Sequence, residues 1–283
     1  MRKVIITVAP TGSFLTKKEH PNVPITPEEI AQTAYECYNE GAAIVHVHAR
    51  DENAKNTGKP EVYKRIDELL RAKCNIVRYY TTGGGPELSH DERLGALEAQ
   101  PEMASLDVAS LMRTMGPYAG TCWENPRPHI ERVAEEMLKR NIKCSLGVFN
   151  NGNFDEVENL IKKGLITKPY YINLVFNMPY QGTMRAHPEN LYSMIRLLPQ
   201  DSVFGVTCIG AAQVVYTTLS MCLGGNCRVG FEDNIYYRKG EVAESNAQFV
   251  ARAVRIAREL GLEIATPDEA REILGIPPHK EST

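Results

Sequence analysis

The chain of 283 residues is 43% hydrophobic and 24% charged, with a formal net charge of −3, which is typical of a globular protein with a sizeable core. No basic stripe indicates a nucleic-acid partner, and no apolar run reaches the roughly 18 residues that a membrane-spanning helix needs. The seven cysteines lie singly in apolar segments without a CxxC pair, so they predict buried thiols in a reducing compartment. We therefore expect a soluble, cytoplasmic protein with no membrane or nucleic-acid partner.

Short apolar segments alternate with longer amphipathic segments along the whole chain. The segments that predict strands are 3–8, 43–48, 75–81, 102–107, 143–149, 171–177, 203–208 and 226–232. The segments that predict helices are 27–40, 60–72, 89–98, 127–140, 154–163, 189–198, 211–223 and 244–260. Alternating strands and helices favour a parallel sheet with right-handed crossovers, and eight such pairs are the number in a (β/α)8 TIM barrel. We predict a single-domain TIM barrel over residues 1–283, with a doubly wound open sheet as the competing fold.

Polar and glycine residues cluster where the predicted strands end, which is where a TIM barrel carries its chemistry. The residues of these clusters that we expect to contact a substrate are Thr11, Gly84, Ser105 and Asp107. The glycine-rich segment 81–85 could bind an anion through backbone N–H groups or could be a flexible barrel loop. It lacks the GKS/T and GxGxxG patterns of nucleotide-binding loops.

Two histidines stand two positions apart in the apolar second strand. Side chains alternate faces along a strand, so His46 and His48 point to the same side. Two neutral imidazoles on one face form half of a zinc site, and Glu232, at the end of the predicted eighth strand, could supply a third ligand. A set of three ligands leaves a position open for water or substrate, which is typical of a catalytic metal. The alternative is a pair of core histidines bonded to the backbone.

Two adjacent carboxylates end the predicted eighth strand. Glu232 and Asp233 cannot both point at one spot from a regular strand, so one would bind the metal and the other could act as a general base. For Asp233 a loop or helix cap is the competing interpretation. Arg228 lies four residues before Glu232 and would share its face of the strand, where a cation holds a nearby carboxylate ionised and oriented.

Several short motifs, spread over nearly the whole chain, are together typical of one protein family. They are Ala9-Pro10-Thr11-Gly12, His20-Pro21, Pro24 to Glu29, His46 to Arg50, Thr81 to Gly84, Arg228 to Asn234, Lys239-Gly240, Ser245-Asn246-Ala247 and Ala265 to Arg271. With them the chain closely resembles the β-keto acid cleavage enzymes, the family typified by 3-keto-5-aminohexanoate cleavage enzyme. The resemblance implies a TIM barrel, a homo-oligomer that is usually a tetramer, and Zn²⁺ held by His46, His48 and Glu232.

The reaction that the resemblance implies is a reversible Claisen-type exchange, in which a β-keto acid and acetyl-CoA give acetoacetate and a new acyl-CoA. Zinc would polarise the keto carbonyl, and Asp233, oriented by Arg228, would be the base that takes a proton from the acetyl-CoA methyl group. The hydroxyl of Thr82 would bind an oxygen that gains charge, although the family typically has serine near this position.

Three departures from the family pattern concern the substrate pocket. The end of the fifth strand commonly reads close to KPELEVFD in the family, whereas here a carboxylate expected in the pocket is missing and is replaced by Ser145 or Gly147. Asp107 stands where the family more often has threonine or asparagine, so we hypothesise that the acid has moved from one loop to another. Phe14 lies in the loop where the aminohexanoate enzyme places an acid for its substrate's ammonium group. This argues against a cationic substrate and leaves neutral or other β-keto acids open.

Two other functions remain open on the sequence alone. A metal-dependent hydrolase on the same fold would release its product with water and without CoA. A non-catalytic barrel that binds a metal or another ligand could have lost turnover through the change in the fifth strand.

Overall fold

A closed barrel of eight parallel strands forms the centre of the computed structural model, which describes residues 2–114 and 118–277. Chain order is kept around the ring, and the eighth strand pairs with the first. The strands are β1 (Ile6–Val8), β2 (Ile44–Val47), β3 (Val77–Tyr80), β4 (Met103–Asp107), β5 (Lys143–Val148), β6 (Tyr170–Phe176), β7 (Ser202–Cys208) and β8 (Asn226–Val229). The predicted single-domain TIM barrel is confirmed.

Helices follow the strands and cover the outside of the barrel. In the described residues they are α1 (Pro27–Asn39), α2 (Pro60–Lys73), α3 (His90–Arg93), α4 (Arg127–Lys139), α5 (Phe154–Lys162), α6 (Pro188–Ile195), α7 (Gln213–Cys222), α8 (Asn246–Glu259) and α9 (Pro267–Leu274). The helix predicted over 89–98 is only four residues of α-helix and continues as a 3₁₀ helix over Leu94–Ala99. No helix in the described part of the chain is long and apolar enough to cross a membrane.

The alternation of side chains along the strands separates two layers of core. In β2, Val45 and Val47 face outward and pack with residues of α1 and α8, such as Ile30 and Phe249. Ile44 faces the barrel interior, and the period of two places His46 on the same side. The barrel's amino-terminal end is filled by this interior layer and by α9, which leaves the carboxyl end for polar side chains.

The predicted first strand, 3–8, is divided into two. Lys3–Val4 pairs in parallel with Glu263–Ile264, outside the barrel, and Ile6–Val8 belongs to the barrel. Between them, the backbone N–H of Ile5 donates to the side chain of Asn226 at 2.8 Å instead of continuing a strand ladder.

A small antiparallel sheet stands beside the barrel strands and is separate from them. Its strands are Tyr180–Gln181, Leu111–Arg113 and Cys122–Trp123, in that order. They come from the loops that follow β4 and β6, so this accessory sheet lies at the carboxyl end of the barrel.

Candidate active site

The three predicted metal ligands meet at the carboxyl end of the barrel. One ligand atom each from His46, His48 and Glu232 lies within 4.8 Å of the others. Glu232 Oε1 is 3.8 Å from His46 Nε2 and 3.3 Å from His48 Nε2. The backbone of Gly12 passes so close that a Cβ atom there would be 2.6 Å from Glu232 Cγ. Gly12 therefore allows the carboxylate to reach the histidines.

The eighth strand ends earlier than its sequence predicts, and this end brings both carboxylates to one cation. β8 stops at Val229, and Gly230 has a φ of +135°. A Cβ atom at Gly230 would be 2.3 Å from the carbonyl oxygen of Ala9, so the turn requires glycine. Because the chain turns here, Glu232 and Asp233 do not follow strand alternation and can approach the same guanidinium group.

Arg228 binds both carboxylates. Its Nε and Nη2 donate to Asp233 Oδ2 and Oδ1 at 2.9 and 2.8 Å, and Nη2 also donates to Glu232 Oε1 at 2.5 Å. The bidentate pair fixes the plane of the Asp233 carboxylate, and the Asp233 side chain has no exposed surface.

Burial and neighbouring charges give the groups of this cluster different protonation tendencies. Burial lowers the pKa of His46 well below its usual value, so its imidazole stays neutral, as a metal ligand requires. Burial alone would raise the pKa of Glu232, but the charge of Arg228 outweighs it and holds that pKa well below the ordinary range. Burial raises the pKa of Asp233 to about 6, against the opposing effect of Arg228.

Ser13, which the sequence analysis did not single out, orients His48. Ser13 Oγ donates to the carbonyl oxygen of Gly84 at 2.6 Å and lies 3.0 Å from His48 Nδ1. The Ser13 hydroxyl donates its only proton to Gly84, so it must accept a hydrogen bond from His48 Nδ1–H. The lone pair of His48 Nε2 therefore stays free on the side that faces Glu232. Arg50 holds the loop of Ser13 by donating to the carbonyl oxygens of Gly12 and Leu15.

Replacing Ser13 with alanine is expected to weaken divalent-metal binding by about 10–100-fold, which is the usual effect of removing a group that orients a ligand. Dissociation constants measured by competition with a chelator test this expectation. Ser193→Ala on α6, outside the barrel, is the control and should bind the metal as the unaltered protein does. Equal affinity in Ser13→Ala would show that His48 needs no help from this hydroxyl.

A cavity of about 510 Å³ opens onto the ligand cluster. The residues predicted to contact a substrate all line it: Thr11, Gly84, Ser105 and Asp107. Arg228, Glu232 and Asp233 line it too. The hydroxyl of Thr11 is already used, because it donates to the carbonyl oxygen of Pro24 at 2.8 Å.

Thr82 is the one predicted site residue that the structure does not bring to the wall of this cavity, among the residues described. Its hydroxyl donates to the carbonyl oxygen of Ser105 at 2.6 Å, and its backbone N–H donates to Ser105 Oγ at 3.1 Å. The neighbouring Thr81 does line the cavity. Strand alternation after β3 thus directs adjacent threonines to different surroundings. The role of Thr82 in the reaction stays a prediction.

Asp107 lies in the space beside Gly147. A Cβ atom on Gly147 would be 2.4 Å from Asp107 Oδ1, so the carboxylate occupies the volume that a side chain from β5 would need. Trp123 Nε1 donates to Asp107 Oδ2 at 3.3 Å. Burial raises the pKa of Asp107, and the charge of Arg93 opposes this shift. The arrangement agrees with the hypothesis that β4 supplies an acid where β5 has none.

The wall formed by the accessory sheet contains further residues that the sequence analysis missed as candidates for binding. Arg113, Trp123 and Tyr180 all line the cavity. Their segments are far apart in the chain and meet only by pairing within the sheet. No local pattern in the sequence reveals that pairing.

Known proteins resemble this chain over nearly its whole length. The family model described as beta-keto acid cleavage enzyme matches residues 3–276. A 3-keto-5-aminohexanoate cleavage enzyme from Fusobacterium nucleatum subsp. nucleatum is 37% identical over 98% of this chain and 99% of the relative. A 3,5-dioxohexanoate:acetyl-CoA acetone transferase from Paraburkholderia graminis is 34% identical over 96% of each chain.

Solved structures support the fold. A binary complex of ObcA with oxaloacetate superposes with a TM-score of 0.79 over 91% of this chain and 68% of that chain, at 18% identity. At this identity the likeness concerns the fold alone. The family match, by contrast, extends over nearly all of the sequence, including the His46, His48 and Glu232 cluster. The chain belongs to the β-keto acid cleavage enzyme family.

Proposed function

We propose that the protein is a metal-dependent transferase that converts a β-keto acid and acetyl-CoA into acetoacetate and a new acyl-CoA. The observation that carries this proposal is the presence, in one cavity, of a three-ligand metal cluster and of the Arg228–Asp233 pair. The activities for which the two relatives are named, a keto acid cleavage enzyme and an acetyl-CoA transferase, support the same reaction.

The ligand cluster fits a divalent metal, for which we propose Zn²⁺. Two imidazole nitrogens and one carboxylate oxygen are a usual zinc set with an open position. Glu232 Oε2 is buried and has no hydrogen-bond partner among the described residues, and a cation would satisfy it. When bound, the metal supplies Lewis-acid polarisation of the keto carbonyl.

The products determine which proton Asp233 takes. If the carbanion formed on the acetyl methyl group, as the family resemblance led us to expect, its addition to the keto carbon and cleavage would give acetate and a 3-ketoacyl-CoA. Acetoacetate requires a new bond between C2 of the keto acid and the acetyl carbonyl carbon. We therefore place the proton abstraction by Asp233 at C2.

The remaining steps then balance. The C2 carbanion attacks the thioester carbonyl and displaces CoA as a thiolate, and the thiolate attacks the original keto carbon. The C2–C3 bond breaks, acyl-CoA forms, and the proton held on Asp233 returns to C2 of acetoacetate. Arg228 keeps the Asp233 carboxylate oriented toward the cavity during both proton transfers.

Acetoacetate formation from β-keto acids, measured with and without acetyl-CoA, tests the proposal. Label from [¹³C]acetyl-CoA should appear at C3 and C4 of acetoacetate. Keto acid breakdown without acetyl-CoA would indicate a metal-dependent hydrolase instead. Metal binding without turnover of any keto acid would indicate a binding protein.

For Asp107 we expect substitution by asparagine to lower kcat/KM by about 10²-fold, the lower range for loss of an acid–base group. Asp107 lines the cavity beside Gly147, where its carboxyl group can contact a substrate oxygen. Steady-state kinetics with metal-loaded protein measure the effect, and Asp155→Asn on exposed α5 is the control. An unchanged rate and unchanged substrate preference would remove Asp107 from the reaction.

A further inference from the structure

Arg113 is a buried cation without a carboxylate partner among the described residues. It is only 5% exposed, and its Nη1 donates to Thr121 Oγ1 at 2.7 Å and to the carbonyl oxygen of Cys122 at 3.2 Å. The hydroxyl of Tyr180 is a further neutral partner. The Nε atom of Arg113 is buried and has no hydrogen-bond partner within residues 2–114 and 118–277. Such a group is costly unless a ligand completes it.

Arg113 shares a cavity with the proposed metal ligands. Arg113 lines that cavity, and its guanidinium carbon lies 5.2 Å from the ring centre of Trp123, whose indole donates to Asp107. An apolar cluster lines the cavity beside them. Its members are Leu111, Phe149, Val175 and Met178.

The other charged residues of the cavity have interaction partners of their own. Glu232 and Asp233 both bind Arg228. Asp107 accepts a hydrogen bond from Trp123, and among the neighbouring charges Arg93 has the largest effect on its pKa. The hydrogen-bond partners of Arg113 within the described residues are all neutral groups. The positive charge of Arg113 therefore remains available to an anionic ligand, for which a guanidinium offers a two-pronged donor.

We propose that the keto acid turned over by this protein is a dicarboxylate, with an apolar chain that ends in a second carboxylate bound by Arg113. The inference rests on the proposed function: the keto acid end would lie at the metal ligands, the methylene chain along the apolar cluster, and the distal carboxylate at Arg113. Phe14, 55% exposed at the cavity, offers no charge to a cationic end group.

The experiment compares a 3-keto dicarboxylic acid with its distal monoamide, which has the same shape and no distal charge. The unaltered protein should prefer the diacid in kcat/KM. Arg113→Gln should lower kcat/KM for the diacid by about 10–100-fold, the size of a lost hydrogen bond to a charged group, and change that for the amide by less than about 3-fold. Arg113→Lys keeps the positive charge and loses the two parallel donors of the guanidinium group. Its kcat/KM for the diacid should lie between those of the unaltered protein and Arg113→Gln.

Several outcomes would overturn the assignment. An equal loss for both substrates would mean that Arg113 only supports Trp123 and Tyr180. A rise in KM for acetyl-CoA with either acid would place a CoA phosphate at Arg113 instead. Arg127→Gln, in an exposed pair with Glu156, is the matched control and should leave the preference unchanged.

Calorimetric binding of the diacid and the amide, without acetyl-CoA, gives a readout that does not need turnover. If no keto acid reacts, the proposed function fails. A binding preference for the diacid that Arg113→Gln abolishes would still support the anion site, and equal binding of the two acids would reject it.

Discussion

Asp233→Asn is expected to lower kcat by about 10³-fold, within the usual range for loss of a general base, with little change in KM. Asparagine keeps an oxygen for Arg228, whose Nε and Nη2 hold the carboxylate at 2.9 and 2.8 Å, but it cannot accept a proton. The site of the variant should therefore keep its geometry but no longer take a proton from the substrate. Steady-state kinetics with saturating acetyl-CoA measure the change.

The proton-transfer step can be observed alone. In D₂O and without acetyl-CoA, the unaltered protein should exchange the C2 protons of a keto acid faster than the solution does, as followed by NMR. Asp233→Asn should abolish this enhancement. Asp201→Asn, an exposed carboxylate paired with Lys168, should retain it. Enhanced exchange in Asp233→Asn would assign the base to another residue.

Loss of a proposed metal ligand is also expected to have a large effect, on both metal affinity and activity. His46→Ala and Glu232→Gln should each weaken metal binding by more than about 100-fold, because even groups that only orient a ligand contribute about 10–100-fold. Each variant removes one of three donors that lie within 4.8 Å of one another. Activity should fall in proportion to metal content.

Metal content after dialysis, measured by atomic emission, tests the assignment. His187→Ala is the control, because this imidazole is exposed and lies before α6. Stoichiometric metal in both His46→Ala and Glu232→Gln would place the ion elsewhere in the molecule.

The barrel could be predicted because its strands carry their pattern locally. In β2, valines that face the helices alternate with residues that face the interior, and His46 follows that period. The same period predicts the histidine pair of the metal site. Glu232 could be identified as the third ligand only from its position after β8 and from the family resemblance.

Positions that depend on a turn or on distant pairing could not be predicted. β8 ends before Glu232 because the backbone of Gly230 passes close to Ala9. The alternation of residues along the strand does not predict this early end. Ser13 reaches His48 through a loop that Arg50 fixes. Arg113 enters the cavity because residues 111–113 pair with two other segments, which is a tertiary event.

The accessory sheet has a consequence for how this family can diversify. The metal ligands and the Arg228–Asp233 pair are carried at the ends of β2 and β8, whereas Trp123, Tyr180 and Arg113 are carried by short strands in the loops after β4 and β6. Loops on a TIM barrel tolerate change while the strands preserve the chemistry. We therefore expect that exchanging these short strands for those of a relative would change substrate preference and leave the residues at the ends of β2 and β8 in place.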